Sequence, residues 1–356
     1  MIAYYGLILT VGLLYLLIGR LNINDKRKMF MLISFIMTVI LQGLRSSEVG
    51  IDLKQYIYAF NVSKNVSWTT PILAFEIGFR ILLHLLSMLC SSEQMFIFVT
   101  SALCQAPIFY FIYKKSTSLF ESLLIYYTFG IFTFSFSGIR QILAMGLFLS
   151  AVILADEQKW RDFFLLVVLA STIHTSALIG LFAYPLSKIR IKRNGKLLLL
   201  GLFGAEMLFG QQIAGAAAKL YGRTFQSSQT GAYSLFIFYI IIWILCTLFL
   251  EEEQPWTLFS NFCMMAALCQ GLGAFHPSIA RIGYYFSIFM CVLIPHIIDR
   301  ATNSYRLKAL LHVALFVFCM FFFQKNTGNG YYAHIFHFGV NGLKINEIAK
   351  DKFCVK

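Results

Sequence analysis

Charged side chains are scarce in this chain: Asp, Glu, Lys and Arg together make up 13% of its 356 residues, and the acidic ones number only 16. With 59% hydrophobic residues and a mean hydropathy of +0.73, that scarcity excludes an ordinary soluble domain, in which about a quarter of residues are charged. Metal and redox spacings are missing too. The eight cysteines (Cys90, Cys104, Cys246, Cys263, Cys269, Cys291, Cys319 and Cys354) form no CxxC and no Cys/His pair at zinc spacing. Neither a disulfide framework nor a metal site nor a cofactor is expected. The formal net charge is +13. Its Lys and Arg are spread over short loops, with no soluble basic domain to hold them. That argues against a nucleic-acid partner and assigns the charge to topology and to anionic lipid or phosphate.

Long apolar runs fill the chain instead, each long enough to cross a hydrocarbon core about 30 Å thick as a helix. The expectation is an all-α, polytopic integral membrane protein. Residues 1–356 would form a single transmembrane domain of about 10 full transmembrane helices. To these are added a broken re-entrant hairpin (163–187) and an outer interfacial helix (72–90), the latter within an outer loop region at 45–93. The first run, Ile2 to Gly19, has no basic segment ahead of it and no small-residue cleavage site behind it, and reads as a retained helix.

Basic short loops mark the cytoplasmic side: Arg20 to Lys28, Lys114-Lys115, Lys159 to Arg161 and Lys188 to Lys196. Threading the runs between them leaves 72–90 unable to cross, because a full crossing would put Lys114-Lys115 outside. That segment also sets Glu76, Arg80, His84 and Ser87 on one helical face. Likewise 163–187 lies between two basic loops and must return to the side it left. A break near Thr172 to Thr175 is expected, with His174 at the tip.

This threading gathers Arg45, Asp52, Glu76, Arg140, His174, Arg223 and Arg281 on the outer face. Arginines there suit a lipid-linked anion, because guanidinium is permanently charged and its planar fork matches phosphate. Arg140 is preceded by Gly138 and followed by Gln141 at a helix start, where backbone N–H groups are free toward an anion. His174 has a side chain that exchanges protons near neutrality. Trp68, Tyr284 and Tyr285 lie near outer loops, placed to stack on sugars.

The stretches "LRSSEVGIDLKQYIYAF" (44–60), "FEIGF" (75–79), "SGIRQILAMGLFLSAVIL" (137–154), "STIHTSALIGLFAYPL" (171–186) and "RIGYYF" (281–286) together resemble the EpsG family of Wzy-type bacterial exopolysaccharide and capsule polymerases. Arg45, Gly50, Asp52, Tyr56, Glu76, Gly78, Arg140, Gln141, Ala144, His174 and Ser176 match the family pattern. A proline expected between Glu76 and Gly78 is replaced by Ile77. The resemblance implies glycosyl transfer at the outer face of the bacterial cytoplasmic membrane. A glycan on undecaprenyl diphosphate would pass to the hydroxyl of an incoming lipid-linked repeat unit, without metal or cofactor. A flippase and a chain-length regulator are partners implied by the resemblance alone.

On that reading His174 is the first candidate for the base, with Asp52 and Glu76 in reserve. Arg140 and Arg281 would hold the diphosphate, with Gln141 beside them. Arg45 would lie near the glycan, and Tyr56 and Tyr284 complete the binding set. Three other readings stay open: a transferase using a polyprenyl-phosphate sugar, a membrane acyltransferase, and a transporter or flippase of lipid-linked glycan.

Overall fold

The structure, a computed structural model, describes residues 2–220, 232–250, 254–273 and 277–327. The described residues form helices and no strands. Arg223, expected on the outer face, lies outside them.

Among the described residues, four helices are long and apolar enough to cross a membrane: α1 (Ile2–Arg20), α5 (Glu93–Lys115), α8 (Ile139–Asp156) and residues Tyr305–Lys325 of the last helix. A bent pair, Ser278–Ser287 and Met290–Ala301 at 46°, makes a fifth if counted as one span. The expectation of about 10 full crossings is not confirmed by helix length and composition among the described residues. The helix α2 (Lys26–Gly43) carries three successive basic residues at its start. One interruption is local. The apolar run 118–136, continuous by composition, is cut at Gly130, whose φ of +88° ends α6 (Leu119–Thr128) and starts the short α7 (Ile131–Phe134). Positive φ is open to glycine and strained for most other residues.

The region 45–93, expected as an outer loop, holds a helix that hydropathy does not announce, α3 (Leu53–Ser63). Against it packs α4 (Ile77–Leu89), the expected interfacial helix. Its polar stripe faces inward: His84 Nδ1 and Ser87 Oγ each lie 3.3 Å from the Ser63 carbonyl oxygen, and Arg80 Nη1 donates to Thr69 O at 2.9 Å. Ile81, Leu85, Met88 and Leu89 point out of the bundle.

Between residues 160 and 188 the expected break is present. The helix α9 (Trp160–Ile173) stops at His174, whose backbone is extended (φ −153°, ψ 117°). The chain then runs back through a 3₁₀ segment, Thr175–Phe182, and α10 (Ala183–Lys188). Trp160 and Tyr184, at the two feet of this hairpin, meet with ring centroids 4.8 Å apart.

At the centre, α8 packs between α5 and α9. Gly146 of α8 sits so close to Pro107 of α5 that any Cβ would collide with the proline ring. A buried polar network joins α2, α5 and α6 to the segment ahead of α8. Tyr126 donates to Gln105 (2.7 Å), Gln105 to Gln42 (2.7 Å), and Gln42 to Ser135 O (3.0 Å). Satisfied buried networks of this kind fix one packing arrangement, and here the fixed element is the segment 135–138 that launches α8.

Candidate active site

Glu76 precedes the first turn of α4 with extended backbone (φ −64°, ψ 152°), yet its carboxylate makes no capping bond to its own helix. It reaches across to two other elements. Oε2 accepts from Arg140 Nη1 at 2.5 Å. Oε1 accepts from the Thr175 backbone N–H at 3.0 Å and its hydroxyl at 3.2 Å, and lies 3.1 Å from His174 Nδ1. One carboxylate thus joins an arginine 64 residues away to a histidine 98 residues away.

Gly78 makes this meeting geometrically possible. A Cβ there would collide with Thr172 Oγ1 and stand 2.8 Å from the Thr172 carbonyl oxygen. Without a side chain at 78, the start of α4 closes onto the end of α9, which brings Glu76 to His174 and Thr175. Arg140, the second residue of α8, is fixed from the other side. Its guanidinium carbon lies 4.3 Å from the centroid of Phe75 and 6.0 Å from that of Phe79, within the range of cation–π attraction. Tyr56 packs on the same two rings, at 5.7 and 5.6 Å. The Arg140 Nε atom is buried and meets no hydrogen-bond partner among the described residues.

The electrostatics follow from this packing. Burial alone would push the Glu76 carboxyl up. The Thr175 and Glu76 backbone amides, with the charges of Arg140 and His174, outweigh it and hold the group below its ordinary value. Burial lowers His174 below 6.5; Glu76 opposes the shift and Arg140 adds to it, so the neutral imidazole is favoured at pH 7. Burial raises the Tyr56 phenol, with Arg140 opposing.

The other residues expected from the sequence fall into three places. Gln141, Arg281 and Tyr284 share the flank of α8: Gln141 Nε2 donates to the Arg281 carbonyl oxygen at 2.5 Å, the exposed Arg281 guanidinium lies 6.0 Å from the Phe134 ring, and Tyr284 packs on Phe134 at 4.8 Å. Gln141 is buried and its amide is engaged in that tie. Asp52 is partly exposed at the start of α3, one turn from Tyr56, and makes no side-chain capping bond. Arg45 is fully buried at 0% exposure, behind the segment that leads into α8.

Sequence reasoning did not find Thr175, which gives Glu76 two hydrogen bonds, or Phe75, which supports Arg140. A signal for Phe75 was present, since the acid sits inside an aromatic bracket, "FEIGF". Ser176, noted only as a pattern match, lies 3.1 Å from the Tyr285 hydroxyl and ties the hairpin to the helix carrying Arg281. Among the described residues no group of three or more His, Cys, Asp or Glu is placed to hold a metal ion.

No curated protein and no solved structure matches the chain. The EpsG family does match, over residues 28–337, a range that contains every residue of the Glu76 cluster and nearly all of the chain; the chain belongs to the EpsG family.

Proposed function

We propose that this protein joins undecaprenyl-diphosphate-linked oligosaccharide repeat units at the outer face of the bacterial cytoplasmic membrane, with the Glu76–Arg140–His174 cluster as its active site. Family membership together with the apolar helices makes it a multi-pass membrane protein and a polysaccharide polymerase of exopolysaccharide biosynthesis. The lipid carrier, the side of the membrane and the residue roles are our reading. The observation that carries it is the single Glu76 carboxylate, bound by Arg140 on one oxygen and by His174 and Thr175 on the other.

In the reaction, the acceptor hydroxyl oxygen bonds to the anomeric carbon of the donor glycan, the bond from that carbon to the diphosphate oxygen breaks, and the hydroxyl proton leaves. Lipid diphosphate is the leaving group. With Nδ1–H directed at Glu76, the His174 Nε2 lone pair is free to take the proton. General base catalysis of this kind typically contributes about 10²- to 10⁴-fold. Glu76 fixes the ring and stabilises the imidazolium that results, as a carboxylate does for a catalytic histidine elsewhere. Arg140, whose side chain keeps about a fifth of its surface exposed, stabilises the departing diphosphate, and Arg281 lies on the same flank. In this scheme fixed guanidinium groups carry the leaving-group charge, and no metal ion is required.

The outer-face reading is supported by where the basic ends gather. Arg27 donates to Ser116 O at 2.9 Å and Lys115 contacts Asp156, so the basic ends of α2 and α5 meet the far end of α8. Arg140 and Asp156 are separated along α8 by about 24 Å at 1.5 Å per residue. The positive-inside rule assigns the Lys115 end to the cytoplasm and hence Arg140 to the outside.

The test is polymer formation by cells whose only copy is Arg140→Ala or His174→Ala, at matched membrane levels. Loss of long polymer with lipid-linked single units exposed outside supports the reading. Single units retained inside would indicate a flippase instead.

A further inference from the structure

We infer that Arg45 is a positioning residue for Arg140, and that the clasp it forms with the segment 135–138 sets the reach of the active-site arginine. The inference rests on the function proposed above, but its observations are separate from the Glu76 cluster.

Arg45 has 0% exposure, so no substrate reaches it as the structure stands. Its Nη2 donates to the Phe136 carbonyl oxygen at 3.1 Å, and its guanidinium carbon lies 4.8 Å from the Phe136 ring centroid. Nε and Nη1 are buried and meet no hydrogen-bond partner among the described residues. Gln94 holds the Arg45 carbonyl oxygen at 3.4 Å and that of Gly43 at 2.6 Å, which anchors the loop from behind.

Two further contacts converge on the same short segment. Gly50, at φ +120°, lies against the Phe136 carbonyl, where any Cβ would collide with its oxygen. The Ile51 N–H donates to Ser137 Oγ at 3.0 Å. Residues 45–51 therefore grip residues 136 and 137 at three points, and Arg140 follows three residues after the last of them, in the first turn of α8.

The energetic argument separates this role from packing. A buried guanidinium with one carbonyl partner and no carboxylate is a poor stabiliser, and apolar side chains of similar volume in such places are often neutral or stabilising. A residue present only to fill space there would be apolar. The Arg45 side chain is suited instead to gripping a carbonyl from the side, with both a hydrogen bond and a ring contact. A shift of about 1 Å in a catalytic group far from the mutation is enough to lower turnover about 100-fold.

The test compares polymer yield with thermal stability in detergent for Arg45→Met, Arg45→Lys, Gly50→Ala and Ser137→Ala, each in the full-length chain. Arg45→Met is expected to lower long polymer at least about tenfold while its melting temperature stays equal or rises; a merely structural arginine would lower both together. Arg45→Lys, which keeps a cationic donor, should recover part of the polymer. Combined with Arg140→Lys, the Met change should cost less than about twofold more, because the residue it positions has already been altered. If Arg45→Met fails to accumulate, Gly50→Ala and Ser137→Ala carry the test, since both disturb the clasp with Arg45 in place and must lower polymer without lowering abundance. Wild-type polymer from the clasp variants overturns the inference. So does a full tenfold loss repeated in the Arg140→Lys background, and either result leaves the proposed function standing. Wild-type polymer from Arg140→Ala removes the active-site assignment on which the inference rests.

Discussion

Arg140 and Glu76 form a direct ion pair, Nη1 to Oε2 at 2.5 Å, in which both side chains keep about a fifth of their surface exposed. The pair is thus neither a surface salt bridge, which would be worth little, nor sealed away from substrate. On the proposed function an arriving phosphate shares this guanidinium, whose partner carboxylate also contacts His174.

On the proposed mechanism, Arg140→Ala removes the charge that faces the leaving group. Loss of one preorganised donor to a developing anion typically costs about 10²- to 10³-fold. We expect long polymer to fall by that order at unchanged membrane level, with Arg140→Lys intermediate because an ammonium lacks the planar fork. Polymer normalised to protein on a blot checks both.

Glu76 should be sensitive even to a conservative change. Glu76→Gln keeps an acceptor for the Thr175 N–H but leaves Arg140 with no carboxylate and His174 with no anionic partner. Polymer is expected to fall at least about 100-fold, the lower end of general-base contributions, whereas Asp52→Asn, outside the cluster, should have a much smaller effect. Similar losses from the two variants would mean that Asp52 belongs in the chemistry.

The pH dependence has a definite sign. His174 is depressed below 6.5, so the neutral base is present at pH 7 and is lost only as the pH falls through that lowered value. Rate against pH should therefore be flat through neutrality, with an acid limb below 6.5 that disappears in the residual activity of His174→Gln. Stability moves the same way. Glu76 is held below its ordinary value, so its contribution is present above the unfolded carboxyl's titration and is lost as the pH drops through the folded one. His174, depressed by burial, also favours the unfolded state as the medium becomes acid enough to protonate it there. Melting temperature across the same pH range measures this.

Gly78→Ala would force α4 away from α9 at Thr172. Overpacking of this kind costs about 1–3 kcal/mol, and thermal stability should drop along with polymer. Thr172→Ala should rescue it only in part, because the Thr172 carbonyl, which that change retains, is itself 2.8 Å from the added Cβ position.

Features that depend on local pattern were legible in the sequence. Hydropathy gave the helical membrane class, and the placement of basic loops required a break between 163 and 187, which the structure has at His174. The count of full crossings was less legible, because Gly130 interrupts a run whose composition alone looks continuous. α3 was hidden for the opposite reason, being a helix of mixed polarity inside what reads as a loop. The set Arg140, Glu76 and His174 could be named from motif order, but their pairing could not, since it joins positions 64 and 98 residues apart. Arg45 shows the limit most clearly. The threading placed it among the outer-face arginines, near the glycan on the family resemblance, whereas its side chain is turned inward onto Phe136. Nothing in the spacing of "LRSSEVG" tells an inward guanidinium from an outward one.

The most direct measurement of the central claim is glycan analysis of cells whose only copy of this protein carries His174→Ala or Arg140→Ala, with membrane levels matched by blot. We expect high-molecular-weight polymer to vanish while single lipid-linked repeat units accumulate on the outer face. Wild-type polymer at matched protein level in both variants would contradict the assignment of the Glu76–Arg140–His174 cluster as the active site.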